Sequence, residues 1–256
     1  MNIVALTREP ARDMSACELT HLERRPIDAA WAAEQHRAYC DALRECGAQV
    51  FRLPPIDELP DSVFVEDTAI VLDELAVLTR PGVDSRRGEV EAIEPEVGRL
   101  RETVARVEPP ATLEGGDVLR VGRRLFVGLS PRTNRAGVEA LRAAVGPYGY
   151  EVVAVELRGC LHLKTGCASL GGDSVLVNKD WIDPRAFHGL EVVPVAAGEP
   201  FAANALSVGR TVCLGAQFTR TAQMLSSRGY DVRAVDVSEF AKAEAGLTCM
   251  SLIFNQ

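Results

Sequence analysis

Apolar and polar positions along the chain fall into a recurring pattern. Five segments each begin with small or polar residues, enter an apolar run with strand character, and often turn tightly into a second run. They are EDTAIVLDELAVLTRPG (66–82), GGDVLRVGRRLFVGLS (115–130), KTGCASLGGDSVLVN (164–178), ANALSVGRTVCLGA (203–216) and LTCMSLIF (247–254). Their starts lie roughly 40 to 50 residues apart, the spacing of a structural repeat. The links DEL, VGRR, GGD and VGR suit hairpins.

Helical periodicity fills the gaps. The segment 28–47 places Trp31, Ala38, Leu43 and Cys46 at helical spacing and ends on Gly47. An interrupted helix is expected over 90–102. A third over 133–149 starts at a Thr or Asn cap and stops at Gly146-Pro147, and a fourth over 219–230 stops at Gly229. Short β-like runs follow three of them, at 48–54, 150–157 and 230–237. The unit is strand–strand–helix–strand, repeated about five times. The fifth copy runs out of chain before its helix, and the run 2–9 with the 28–47 helix would complete it and close a ring. An open α/β sheet without pseudosymmetry is the rival arrangement. No Pro-rich or Gly/Ser-rich linker divides residues 1–256, so one domain is expected.

Composition narrows the function classes. With 256 residues the chain can bury a substantial core. A net charge of −8 and the absence of a basic block argue against a nucleic-acid partner. No apolar stretch reaches membrane-spanning length. The opening MNIVALTREP has neither the basic nor the apolar region of a secretory signal, and the seven cysteines are odd in number with no CxxC pair. Free thiols and a cytoplasmic location are therefore expected. No spacing of the four histidines with cysteines suggests a zinc site, so no metal is assigned.

The chemistry-bearing residues sit at the entries of the apolar runs: Asp61 with Glu66 and Asp67, Glu114 ahead of Gly115-Gly116-Asp117, His162 ahead of Lys164, Asn204, and Thr248-Cys249. Around an axis these entries would converge, and such mouths form pockets. Taken singly, Cys249 reads as a core thiol, His162 as a strand-end histidine and Glu114 as a turn carboxylate. Together they supply a nucleophile, a base and a group to orient the base. Arg86 and Arg132 read either as solvated loop charges or as a bidentate clamp for a carboxylate. Cys160 and Cys167, which flank His162, read as small core thiols.

The motifs VFVEDTAIV, TRPGVDSRRGEVE, TLEGGDVL, FVGLSPRTN, LHLKTGC and GLTCMSLI, in this order and spacing, resemble the guanidine-modifying enzymes, and within them the dimethylarginine dimethylaminohydrolase family. The resemblance runs over essentially the whole chain. It implies a five-bladed α/β propeller and hydrolysis of Nω-methylated arginine to citrulline and dimethylamine or methylamine. It implies Cys249 as nucleophile, His162 as general acid and base, and Glu114 as the group that holds the guanidinium or positions the histidine. Glu66 and Asp67 would grip the guanidinium, and Arg86 and Arg132 the substrate carboxylate. Asp61, with backbone groups of Leu19 and Ala243, would hold the α-amine, Leu19 belonging to a lid. No cofactor is implied, although some members of the family bind inhibitory zinc. Exposed outer strands are compatible with a homodimer. The rivals are a deiminase of the same fold acting on free arginine or another guanidine, and a non-catalytic binder of arginine derivatives.

Overall fold

A computed structural model describes residues 2–256. Fifteen strands form five separate three-stranded sheets. Numbered in chain order, β1 (Ile3–Arg8) and β2 (Ala48–Leu53) join β15 (Ser251–Asn255) in one blade. The others are β3 (Ala69–Val71), β4 (Ala76–Leu78) and β5 (Val104–Arg106); β6 (Val118–Val121), β7 (Arg124–Leu129) and β8 (Glu151–Glu156); β9 (Cys167–Gly171), β10 (Ser174–Val177) and β11 (Glu191–Pro194); and β12 (Leu206–Val208), β13 (Thr211–Gly215) and β14 (Asp231–Val235).

Every blade repeats one pairing scheme. Its first strand runs antiparallel to the second, and the second runs parallel to the third. Antiparallel neighbours need only a tight turn, whereas a parallel pair needs a crossover. The turns contain Gly122, Gly172 and Gly209, all at positive φ. The crossovers are α1 (Ala29–Glu45), α2 (Arg87–Leu100), α3 (Arg135–Val145) and, in the blade of β12 to β14, α5 (Thr219–Ser227). The β10–β11 crossover is a single 3-10 turn, Pro184–Phe187, so one blade lacks its helix. The first strands β3, β6, β9, β12 and β15 surround a cavity of about 610 Å³ on the axis. The ring closes non-covalently where β15 pairs with β1, Ile3 opposite Asn255 and Thr7 opposite Ser251.

The strand–strand–helix–strand ring expected from the pattern is therefore the architecture present. The helix boundaries differ in detail. Helix α2 begins three residues before the expected 90–102 and runs through Pro95. Helix α1 buries a different face from the expected one. Trp31 is 49% exposed, and the inward stripe is Ala32, Gln35, His36, Tyr39, Cys40 and Leu43. This stripe keeps the i, i+3, i+4 rhythm while admitting two polar residues, which apolar content alone did not mark. Asp28 caps α1 by accepting the N–H groups of Ala30 and Trp31. Tyr39 donates to the carbonyl of Leu247 at 2.9 Å and shares a hydrogen bond with the Ser251 hydroxyl at 2.7 Å. Helix α1 thus anchors both ends of the turn that carries Cys249.

Candidate active site

At one end of the ring, each first strand is preceded by a single tight turn: Val65–Thr68, Gly115–Asp117, the short helix α4 (Leu163–Gly166), Pro200–Ala203 and Thr248–Met250. The candidate residues ride on these turns. Glu66 and Asp67 lie inside the first, and Glu114 and His162 immediately precede the second and third. Asn204 immediately follows the fourth, and Cys249 sits at the centre of the fifth. Five pseudo-equivalent positions thereby bring residues nearly 200 positions apart to one axis.

The histidine is the most tightly held. Its Nε2 lies 2.7 Å from Glu114 Oε2. The other Glu114 oxygen accepts the Gly82 N–H at 3.0 Å and stands 3.6 Å from Arg132 Nη1. Asp67 accepts the Gly116 N–H at 2.9 Å and Arg86 Nη1 at 2.8 Å. A Cβ on Gly116 would lie 2.7 Å from both Asp67 Oδ1 and His162 Nδ1, so the imidazole packs flat on backbone that only glycine permits. Beneath it, Asp117 accepts the Leu163 N–H at 2.9 Å and the Ser130 hydroxyl at 2.6 Å, fixing the turn behind His162.

These neighbours set the protonation states. Burial alone would lower the His162 pKa, but Asp67, Asp117 and hydrogen-bonded Glu114 outweigh it and hold the imidazole up at about 9. Burial would raise Asp67, yet His162 and Arg86 keep it down at about 2. Burial, reinforced by Glu66 and Asp67, pushes the Cys249 thiol up to about 12, against a weak Gly246 N–H contact to its sulfur at 3.4 Å. At neutral pH the site therefore pairs a thiol with an imidazolium.

Cys249, His162, Asp67, Arg86, Arg132, Asp61 and Ala243 all line one small, partly open cavity of about 20 Å³, roofed by Glu18. Two of the expected residues stand apart from that lining. The Glu66 carboxylate is bound by Lys164 Nζ at 2.6 Å and by the Thr248 hydroxyl at 2.8 Å, and it lines the axial cavity. Leu19 packs its side chain against the core beside α1, which leaves its expected role to its backbone, and its neighbour Glu18 forms the roof. Arg86 is less free than a carboxylate clamp requires. Glu89 binds its guanidinium bidentately at 3.1 and 2.9 Å, while Asp67 holds a third donor.

Asp67, Glu114 and His162 present ligand atoms within 4.8 Å of one another. Each is already committed, however: His162 to Glu114, and Asp67 to Arg86 and Gly116. A cation there would meet an imidazolium and a guanidinium, so the set is better described as a self-neutralised ion network. Sequence reasoning named Lys164 at an entry without giving it a role, and passed over Glu89 and the carboxylate of Glu244. Glu89 carried a signal, since it stands one helical turn beyond Arg86 at i+3. Glu244 carried none.

Comparison with known proteins agrees with this geometry. A family model described as N,N dimethylarginine dimethylhydrolase, eukaryotic, matches residues 16–194. The chain is 40% identical over 249 residues to the N(G),N(G)-dimethylarginine dimethylaminohydrolase of Streptomyces coelicolor, covering 97% of this chain and 95% of the relative. It is 38% identical over 251 residues to the Pseudomonas aeruginosa enzyme of that name, covering 97% and 98%. A solved structure of the Pseudomonas aeruginosa protein, a Cys-to-Ser variant complexed with citrulline, superimposes with a TM-score of 0.95 at 37% identity, covering 99% of this chain and all of that one. The repeated turns, the nucleophile–histidine–carboxylate set and the full-length similarity place this chain in the dimethylarginine dimethylaminohydrolase family.

Proposed function

We propose that the protein hydrolyses Nω,Nω-dimethyl-L-arginine and Nω-monomethyl-L-arginine to L-citrulline with release of dimethylamine or methylamine. The observation that carries this reading is the small cavity lined by both the Cys249 thiol and the Glu114-bound imidazolium of His162, beside the ionised Asp67. Asp67 would grip the substrate guanidinium. Glu66, spent on Lys164 and Thr248, would act on it through the field it adds beside Cys249. Asp61, Ala243 and the backbone near Leu19 would bind the α-amine, and Arg132 the α-carboxylate. Arg86 would join only by sharing a guanidinium that Asp67 and Glu89 already hold.

The protonation states suggest the order of steps. His162 rests as a cation and cannot take the thiol proton. Burial and the carboxylates Glu66 and Asp67 together keep Cys249 protonated in the free protein. The guanidinium of the bound substrate offsets the carboxylate share and favours the thiolate beside it, so the thiol loses its proton to solvent when substrate is bound. The thiolate attacks the guanidinium carbon and forms a tetrahedral adduct. His162 then gives its proton to the methylated nitrogen, which departs as the neutral amine and leaves a covalent thiouronium. Neutral His162 takes a proton from water as the oxygen attacks the same carbon. Collapse then expels the Cys249 sulfur while the hydroxyl proton of the adduct passes to that sulfur or to solvent, leaving neutral-headed citrulline and protonated His162. Glu114 keeps the ring turned toward the reacting carbon through both proton transfers.

Residues 1–256 act as one catalytic unit in this reading, because four blades line the cavity and the fifth, through Asn204, holds Thr248 beside Cys249. The occupant is a small molecule. No helix among the described residues is long and apolar enough to cross a membrane. All seven cysteines are free, as a reducing cytoplasm would keep them. A homodimer is expected, and sedimentation of the purified protein tests it. The decisive assay compares asymmetric dimethylarginine, monomethylarginine, arginine and agmatine side by side, scoring ureido product and released amine. Turnover confined to the methylated arginines is expected. Preferential turnover of arginine or agmatine would replace this reading by a deiminase.

A further inference from the structure

The roof of the catalytic cavity belongs to the stretch between Arg12 and Asp28, whose one regular element is the 3-10 turn Met14–Ala16. Met14, Cys17, Leu19 and Ile27 pack against the core at either side, but residues 20 to 26 are exposed, so little apolar burial holds the middle of the stretch down. Polar tethers hold that part instead. Asp61 accepts the Glu18 N–H at 3.0 Å, Ser85 donates to the Glu18 carboxylate at 2.6 Å, and Arg132 donates to the Thr20 hydroxyl at 3.0 Å. The densest tether is Glu244. One of its carboxylate oxygens accepts the Thr20 N–H at 2.9 Å, and the other accepts the N–H groups of His21 and Leu22. Three successive backbone donors thus converge on one anion.

Glu244 is also the one non-glycine residue at positive φ, +58°, among those described. A branched or long side chain is held there at a cost unless its surroundings fix it. Its neighbours Ala243 and Ala245 form the wall of the catalytic cavity, and two residues later Gly246 touches the Cys249 sulfur. The same residue therefore grips the roof with its side chain and shapes the nucleophile's wall with its backbone. The space among these residues is partly open but only about 20 Å³, room for little more than one water. An arginine derivative needs more room, so segment 18–22 and its Glu244 tethers must shift to admit it and re-form around it.

We propose that Glu244 is a positioning residue that clamps segment 18–22 over bound substrate and ties that closure to the wall carrying Cys249. The kinetic side of this rests on the reading above, whereas the clamp itself does not depend on which substrate binds. The test uses Glu244→Gly and Glu244→Gln. Glycine adopts a φ of +58° without strain, so Glu244→Gly removes the carboxylate while keeping the turn. Gln keeps a single neutral acceptor oxygen for donors that now share a full carboxylate.

Two readouts are taken on the intact protein: the rate of trypsin cleavage after Arg24, and KM and kcat for asymmetric dimethylarginine. Loss of charge-assisted bonds predicts that Glu244→Gly is cleaved about tenfold faster and shows KM about tenfold higher, with kcat changed less than about threefold and Gln in between. Unchanged cleavage would overturn the clamp even if KM rose. Faster cleavage with unchanged KM would overturn the positioning role. If the wild-type protein turned over none of the methylated arginines, the functional reading would fall, while the cleavage comparison would still decide the clamp.

Discussion

Gly116→Ala places one methyl group into the tightest contact of the site. The added carbon would lie 2.7 Å from His162 Nδ1, 2.9 Å from His162 Cγ and 2.7 Å from Asp67 Oδ1. Ordinary contact begins near 3.4 Å, so the imidazole must retreat by roughly 0.5–0.7 Å. Glu114 cannot follow freely, because it is fully buried and holds the Gly82 N–H at 3.0 Å. A misplacement of about 1 Å can cost about 10²-fold in rate, so a loss of roughly 10- to 100-fold in kcat/KM is expected. The overpacking should cost about 1–3 kcal/mol, a fall in Tm of roughly 2–12 °C for a chain of this size. A ring pushed away from Glu114 and Asp67 also loses the groups that keep its pKa at about 9, so that value should drift toward 6.5. The assay is kcat/KM against pH on the folded variant, with circular dichroism to confirm the fold. Activity within about twofold of wild type, with the pKa unmoved, would show that the backbone absorbs the methyl group and that glycine at this position does not place the histidine. Gly115→Ala is the contrasting control. Its Cβ would fall 1.9 Å from the Glu66 carbonyl oxygen, so that variant is expected not to fold.

Other outcomes follow from the same ion network. Alkylation of Cys249 by iodoacetamide in the ligand-free protein should still be accelerating at about pH 10, because the thiol is pushed up to about 12. A plateau below about pH 9 would instead mean a resting thiolate–imidazolium pair. Lys164→Met removes the ammonium 2.6 Å from buried Glu66, which should cost about 3–5 kcal/mol and lower Tm by roughly 6–20 °C. Adding Glu66→Gln should recover part of that loss, and failure to recover would show that Lys164 acts through packing. His36 is buried with its Nε2 unpartnered, and its pKa is lowered by burial from 6.5 to about 4. Its folded form is the neutral one, so its contribution of about 3 kcal/mol is complete above pH 6.5 and is lost as pH falls through 4. Replacing His36 with Gln should flatten the acid side of the stability–pH curve. An unchanged acid limb would assign that loss to other groups.

What was legible in the sequence was whatever repeats or punctuates. The five apolar runs with polar entries recovered the blades, since strand pairing follows a period of two and the turns carry glycine. The candidate trio was legible because each member lies at the tight turn ahead of a first strand, Glu114 and His162 just before it and Cys249 at its centre. The partners of charged groups were not legible, because ion pairs join residues whose separation in sequence carries no period. Glu66 reads like Asp67, its neighbour, yet the tight turn sends one carboxylate to Lys164 and the other to Arg86 and the cavity. Arg86 reads as a free loop arginine until Glu89, Asp67 and Glu114 are seen around it. The inward face of α1 was misread because the two polar residues of its buried stripe, Gln35 and His36, look like surface positions.

The charge carried by this network bears directly on what the site selects. Six buried carboxylates, Asp61, Glu66, Asp67, Glu89, Glu114 and Asp117, stand against four cationic groups, Arg86, Arg132, Lys164 and His162. Burial lifts Glu89 to about 7 and Asp117 to about 6, so part of the excess is relieved by protons near neutral pH. The remainder is an unbalanced negative field in a water-poor space. A ligand that brings a guanidinium and an α-ammonium against one carboxylate adds a single positive charge and reduces that imbalance. An uncharged ureido product carries no such guanidinium charge. The carboxylate field that adds to burial in keeping Cys249 protonated in the free protein therefore also favours the cationic substrate over its neutral-headed product. Binding, activation of the thiol and release of citrulline can all follow from one excess of buried carboxylates.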